Sequence, residues 1–491
     1  MSPILISLII VCYFAILLVV SGITSRNADN ASFFIGNRQS KWYIVAIGMI
    51  GASISGVTFI SVPGWVGATH FSYMQVVFGY LIGYLVIGTV LMPLYYRLNV
   101  TSIYTYLEQR FGKWAYKTGV VFFLFSRTFG ASARMYLVAN VLQITILDRW
   151  HIPFVVTVIL SILMIWLYTN KGGIKTIIWT DTLQALFFIT AVVLTVIIIS
   201  QQLGLNLKGL IATIYHSDYS GMFYFNNWQE KHFFWKHFVG GAFIAIAMTG
   251  LDQDMMQKNL SCRNIREAQK NMFTFSLLLL PVNLIFLSLG ALLFIFAEKY
   301  QIPLPEKSDD LYPMIATGGY LNISAGIFFI IGIIAAAYSS ADSALTALTT
   351  SFSVDVLEIQ KLNDETKKTR IRRQVHLGIS AVMLLVILAF RAINNTSVID
   401  AIFIAAGYTY GPLLGIFAFG LLTRRQLRNN FLVPLIALLS PIICYFINQH
   451  SSQWLGGYKF GYELLILNGL ITFTGLLLIS FRQERMVMGD E

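Results

Sequence analysis

The sequence predicts an all-α polytopic membrane protein, and three observations carry that prediction. Only 12% of the 491 residues are charged and 56% are hydrophobic, whereas a soluble domain averages about 25% charged. Apolar runs of about 20 residues, the length a helix needs to cross a bilayer, recur along the whole chain. These runs are too long and too uniformly apolar for barrel strands, the other structure that leaves no backbone group unpaired in lipid.

Length and apolarity give about 13 transmembrane helices, near 2–22, 44–67, 71–96, 118–147, 153–169, 174–202, 237–257, 270–297, 321–357, 374–393, 396–422, 428–447 and 462–481. The segment 321–357 is too long for one straight crossing, so it must tilt or run on beyond the membrane. The first run has no basic n-region and no small-residue cleavage site and reads as a retained helix, not a signal peptide. Two polar segments, 203–236 and 298–320, read as surface caps.

The net charge of +11 does not point to nucleic acid, because the basic residues sit in short alternate loops. Arg26, Arg38, Lys41, Arg97, Arg110, Lys113, Lys117, Lys171, Lys175, Lys258, Arg263, Arg266, Lys270, the run Lys361 to Arg373, Arg424, Arg425, Arg428, Arg482 and Arg485 fall in one set. Arg149, Lys208, Lys231, Lys236, Lys299, Lys307, Arg391 and Lys459 fall in the other. The balance, roughly 24 against 8, puts the N-terminus outside and the C-terminus in the cytoplasm. Cys12, Cys262 and Cys444 show neither metal spacing nor a disulfide framework. No HExxH, GxSxG, Walker or Rossmann pattern occurs in a usable context, and His151 and His237 lack a paired nucleophile, so the chain does not read as an enzyme.

Polar residues inside a membrane are expensive and mark function by default. The second span carries Gly48, Gly51, Ser53, Ser55, Gly56, Thr58, Pro63, Gly64 and Gly67, a density of breakers that should interrupt the helix near its middle. A break exposes carbonyls that can hold a cation and helix ends whose dipoles can hold a substrate; close packing through small residues is the plainer reading. Asp181 falls about two turns into its span, where a structural hydrogen bond is the plainer reading. Ser339, Asp342 and Ser343 share a helix face by their i, i+3, i+4 spacing, with Ser340 offset by about 100°. Hydroxyls and carboxylates suit a hard cation such as sodium. Arg127 and Arg134, seven residues apart, are candidates to clamp a substrate carboxylate; the plainer readings are an ion pair with Asp181 or Asp342, or snorkelling to an interface. Asp252, Gln253, Asp254 and Gln257 read as interface residues at the cytoplasmic end of a span.

The stretches GGIKTIIWTDTLQ around Asp181, SSADSALTALTTSFSVD from Ser339 to Asp355, LDQDMMQKNLSCRNIREAQK and GYTYGPLLGIFAFGLLTRR resemble the sodium:solute symporter family, which includes sodium–glucose, sodium–proline and bacterial sialic acid symporters. The resemblance covers nearly the whole chain. It implies the leucine-transporter-type fold, a 5+5 inverted repeat: a first helix and loop over 1–43, one repeat over 44–202, a loop over 203–236, the second repeat over 237–422, and two further helices over 423–491. The break in the second span should have its counterpart near Gly240, Gly241, Thr249 and Gly250.

The resemblance further implies a common sodium site from the carbonyls of Gly51, Ile54 and Ala336 and the hydroxyls of Ser339 and Ser340. A second sodium would use Asp181, Ser339, Asp342 and Ser343. Asp342 stands where the sialic acid type has serine, so that site takes either a sodium or a proton. The stretch ASISGVTF resembles the sialic acid type and makes Ser53, Ser55 and Thr58 substrate contacts, with Gln75, Arg127 and Arg134 as further ones. The expected function is import of a small polar solute by alternating access with one or two sodium ions across a bacterial plasma (inner) membrane. A sugar or a sugar acid such as sialic acid comes first; a proline-like amino acid or a pantothenate-like vitamin follows. No nucleic acid and no obligate protein partner are expected. A sensory membrane module is the non-transport alternative, discounted because the chain stops soon after its last helix.

Overall fold

The computed structural model describes residues 3–26, 28–145, 147–393 and 398–481; Arg482 and Arg485 lie outside the described residues. Each predicted span contains a helix. They are α1 (Pro3–Thr24), α2 (Trp42–Ser53), α3 (Gly56–Thr69), α4 (Tyr73–Val86), α5 (Lys113–Thr145), α6 (Phe154–Thr169), α7 (Ile174–Gln202), α8 (Phe234–Ala245), α9 (Gln253–Leu260), α10 (Ile265–Lys299), α11 (Ile323–Ser351), α12 (Glu365–Ile393), α13 (Val398–Leu422), α14 (Leu432–Trp454) and α15 (Leu464–Ile479). Among the described residues, 8 helices are long and apolar enough to cross a membrane, or up to 10 spans when each bent pair is taken as one. The remaining predicted spans are the shorter apolar α6 and α15 and the long α5, which carries Arg127 and Arg134 mid-helix.

Both expected breaks are present. α2 and α3 meet at a 58° bend, and the helix from Phe234 to Gly250 meets α9 at 66°. Ile54 closes α2 with φ −89°, ψ 86°, and Ser55 leads into α3 in extended conformation. Gly51 and Gly56 flank the break, and glycine weakens a helix on either side of it. At the second, Asp252 caps α9 by accepting from Asp254 N (2.9 Å) and Met255 N (3.4 Å). The long ninth span does not kink; it continues from α11 through a π turn, Phe352–Val356.

Around these breaks, α2/α3, α4, α8/α9 and α10 pack on one another, while α7 packs against α2 and α11, and α5 against α11 and α13. Small residues allow this. Every residue from Gly332 to Ser351 is buried, in a run dominated by Ala, Ser and Thr that lets several helices approach at once. The α4–α8 contact is closest. A Cβ on Gly79 would lie 2.0 Å from Phe238 O, and one on Gly241 2.3 Å from Val76 O.

The segment 298–320 corrects the expectation of a surface cap. Leu311, Tyr312, Ile315 and Ala316 are buried, Tyr312 hydrogen-bonds Thr195 (2.9 Å) and packs on Phe59 (ring centroids 5.4 Å). Its acidic stretch hides an apolar helix that plugs into the bundle.

Gly79→Ala should force α4 and α8 apart. An overpacked core contact costs about 1–3 kcal/mol, so the detergent-solubilised protein should melt several degrees below wild type, while Gly378→Ala, which meets open space, should not shift the midpoint.

Candidate ion and substrate site

Gly48 and Gly51 set α2 directly on α7. A Cβ on Gly51 would lie 2.7 Å from Ser339 Oγ and 2.9 Å from the Asp181 carbonyl oxygen. The break after Ser53 therefore sits beside Asp181 and the α11 hydroxyls. Ser339 Oγ donates to Asp181 Oδ1 (2.7 Å) and Ser343 Oγ to Asp181 Oδ2 (3.1 Å). Tyr168 OH donates to Asp342 Oδ2 (2.8 Å). Two oxygens of the cluster are buried without a hydrogen-bond partner: Ser340 Oγ and Asp342 Oδ1. A buried polar atom left unmatched is destabilising, and both atoms are oxygens of the kind a hard monovalent cation takes. Gly51 lies in the last turn of α2, where helix carbonyls have no intrahelical donor. The residues present therefore fit a cation at the break.

One member of this cluster was not foreseen. Lys258 is 1% exposed, and its Nζ lies 2.7 Å from Asp181 Oδ2. The sequence placed it in a cytoplasmic loop; the structure puts it inside the bundle because α9 turns inward after the second break.

The reading of Asp252, Gln253, Asp254 and Gln257 as interface residues is corrected in the same way: all four are fully buried. Asp254 Oδ2 pairs with Arg127 Nη2, and Asp252 Oδ2 lies 3.8 Å from Arg127 Nη1. Tyr410 OH donates to Asp252 Oδ2 (2.6 Å). Arg127 is thus neutralised by α9 rather than by Asp181 or Asp342.

Beside this pair lies a cavity of about 100 Å³. It is lined by Ser53, Ile54, Ser55 and Thr58 from the α2–α3 break, by Arg127 and Arg134 from α5, and by Tyr73, Tyr80, Tyr84, Thr249 and Asn283. The sequence reading foresaw the serines, the threonine and both arginines. It missed the tyrosines, whose spacing on α4 looks like an ordinary lipid-facing or packing stripe. Among the described residues no carboxylate lies within ion-pair distance of Arg134, in contrast to Arg127.

Gln75 is a correction. It does not line the cavity. Its Nε2 donates to His232 O (3.1 Å) and contacts His237 Nδ1 (3.1 Å), and its Oε1 accepts from Tyr224 N (3.1 Å). These contacts fasten the loop before α8, and the first turn of α8 itself, to α4.

A second cavity of about 860 Å³ adjoins the first, sharing Tyr73, Ile244 and Phe403, and opens beside Lys231, His232 and Lys459. Trp65 stacks on Phe403 (6.5 Å, 25°) and meets Tyr73 (6.1 Å) between the two. Burial holds the His232 imidazole below its ordinary pKa, so the fixed positive charge of this vestibule comes from its lysines. On the opposite side the bundle is fastened shut: Asp355 accepts from Ser102 (2.8 Å), Ser351 (2.6 Å) and Tyr116 (2.9 Å), and Tyr96 OH donates to Asn259 O (2.9 Å).

Broken helices meeting at a mid-bundle cavity are the architecture of many secondary transporters. The comparisons agree. The profile of the sodium:solute symporter family matches residues 33–437, and the chain belongs to that family. The sodium/sialic acid symporter NanT of Aliivibrio fischeri is 25% identical over 85% of this chain and 82% of its own length. The sodium/sialic acid symporter SiaT of Proteus mirabilis is 24% identical over 88% and 87%, and the sodium-coupled monocarboxylate transporter 1 of Xenopus laevis 24% over 90% and 71%. A solved substrate-bound, outward-open Na+-coupled sialic acid symporter superposes with TM-score 0.80 at 20% identity, covering 96% of this chain and 97% of that one. Mhp1, a nucleobase-cation-symport-1 family transporter, gives 0.57 at 16%, covering 92% and 95%. These likenesses fix the leucine-transporter-type fold. The protein is a multi-pass, sodium-coupled symporter and not an enzyme.

The two arginines should separate in stability. Arg127→Met leaves Asp252 and Asp254 buried without a counter-charge, a loss of about 3–5 kcal/mol, and thermal melting in detergent should fall steeply. Arg134→Met breaks no ion pair, and its melting midpoint should stay near wild type.

Proposed function

We infer that this chain imports a small carboxylate-bearing polar solute, a sugar acid such as sialic acid, together with sodium and by alternating access. The observation that carries this reading is Arg134: a guanidinium lining the cavity at the break, with no carboxylate within ion-pair distance among the described residues. Arginine recognises carboxylates bidentately. The N-terminus of α3, with no side-chain cap, adds the positive end of a helix dipole to the same cavity wall.

Sodium belongs at the other side of the break. The carbonyls of Gly51, Ile54 and Ala336 with Ser339 and Ser340 are the first site, and the unmatched Ser340 Oγ supports it. Asp181, Ser339, Asp342 and Ser343 are the second, where a proton is the alternative occupant. Ser53, Ser55 and Thr58 face the solute. The four ionised side chains Arg127, Arg134, Asp252 and Asp254 balance, so an arriving carboxylate adds one negative charge that a sodium across the break offsets. The N-terminus lies outside and the vestibule opens outward, giving the solute a lysine-lined entrance. Sodium loading favours the outward-facing state, the Trp65–Phe403 layer closes over the solute, and the bundle of α2/α3, α4, α8/α9 and α10 rocks to release both inward.

A second reading, a monocarboxylate or an amino acid smaller than a sugar acid, is favoured by the cavity's 100 Å³, well below the roughly 300 Å³ at which ligand pockets usually begin.

The test is uptake by purified protein in proteoliposomes, with labelled sialic acid, lactate, proline and glucose under an inward sodium gradient or a matched potassium gradient. Sodium-dependent accumulation of a carboxylate is expected, abolished in Ser340→Ala. Losing a charge-assisted hydrogen bond costs about 1.5–3 kcal/mol, so Arg134→Gln should raise the half-saturating concentration about 10- to 100-fold. Glucose as the preferred solute would sink the carboxylate assignment. Accumulation driven by a pH gradient without sodium would make Asp342 a proton site.

A further inference from the structure

Lys258 has no role in the sodium sites described above, yet it stands in one of them. Its ammonium is 2.7 Å from Asp181 Oδ2, the same oxygen that accepts from Ser343 at 3.1 Å. Asp181, Ser339 and Ser343 are three of the four side chains that would hold the second sodium. An ion there and the ammonium of Lys258 ask for one oxygen. Two monovalent cations on one buried carboxylate oxygen would lie a few ångströms apart and repel strongly. Asp342, the fourth ligand, keeps Oδ1 unmatched, so the ammonium satisfies Asp181 without satisfying the site.

The position of Lys258 in the chain matters as much as its charge. It rides on α9, a helix of 8 residues, all of them buried. The other charged residues there are Asp254, which holds Arg127 at the solute cavity, and, at the N-cap, Asp252, which is bonded to Tyr410. One short rigid element thus carries the contacts of both the ion cluster and the solute wall. Displacing its lysine loosens the element that positions Arg127.

We propose that Lys258 is a tethered cation that competes with the second sodium: its ammonium occupies Asp181 in the state described here, and a sodium entering between Asp181 and Asp342 displaces it and frees α9 to move. This rests on the sodium-coupled reading and adds to it a residue that decides when the second ion loads. Without solute, Asp181, Asp342 and Lys258 together leave one negative charge, which one sodium at the first site offsets. With Lys258 neutralised, two negative charges remain and two sodium ions are held.

The experiment is equilibrium binding of radioactive sodium to the full chain purified in detergent, with no organic solute. Wild type should saturate at one sodium per chain. Lys258→Gln should saturate at two, and the gain should vanish in Lys258→Gln combined with Asp342→Ser. Lys258→Arg, which keeps the charge, should stay at one. One sodium in both wild type and Lys258→Gln, or two in Lys258→Arg, would overturn the proposal while leaving sodium coupling in place. Absence of saturable sodium binding in every form would overturn both.

Discussion

A charge kept out of water must be matched by another charge, and that constraint organises the middle of this protein. An isolated ion in a low-dielectric interior is so costly that it is paired, neutralised or functional. The bundle holds two such sets. Asp252 and Asp254 answer Arg127, and Lys258 answers Asp181. Both sets draw on α9, which is why an eight-residue helix rich in charge can be wholly buried. Its partners lie on α5 and α7, helices separated from it by scores of residues. The ion pairs therefore tie the second broken span to the scaffold.

The broken helices supply what the charges do not. A helix ends with carbonyls lacking donors and begins with N–H groups lacking acceptors. At the α2–α3 break these two ends stand next to each other. The carbonyl end turns toward Asp181 and the α11 hydroxyls, and the N–H end turns toward the arginine-lined cavity. On the proposed function, a cation site and an anion site are thereby built from one interruption of one span. Neither can be filled without altering the field at the other, which is the physical basis for coupling a carboxylate to sodium. The glycines matter because they let α7 and α11 come close enough to complete the first site: at Gly51 a single methyl group would strike Ser339.

Much of this was legible in the sequence. Long apolar runs gave the spans, and clustered glycine with Pro63 gave the first break, because both depend on local composition. Asp181 and the Ser339–Ser343 face stood out because polar groups at helical spacing inside an apolar run have few structural reasons to be there. What stayed hidden depends on pairing across the chain. Asp252, Asp254 and Lys258 follow an apolar run and look like its watery end; only the inward turn after Gly250 buries them. The inverted repeat held the clue, since the half-helix after the second break corresponds to α3, which is itself buried. Gln75 was misread because a glutamine that fastens a loop and one that binds a solute have the same sequence context. In 298–320, Asp309 and Asp310 masked the apolar face of Leu311, Tyr312 and Ile315.

Asp342 is where these threads meet. With serine there, Asp181 and Lys258 would balance and the ion cluster would be neutral in the empty transporter. On the proposed function, an ionised aspartate there gives it one negative charge, and a carboxylate solute brings a second. One sodium would leave the loaded state with an unmatched buried charge and would make the cycle electrically silent, since sodium and carboxylate cancel. Two sodium ions neutralise the loaded state, provided Lys258 is displaced from Asp181 yet stays inside the protein. The cycle then moves one net positive charge inward, and the membrane potential contributes about 2.3 kcal/mol per 100 mV. On the proposed function, the extra carboxylate therefore converts an anion carrier that voltage cannot assist into one that voltage drives, and the tethered lysine proposed above keeps the second ion from loading before the solute's charge calls for it.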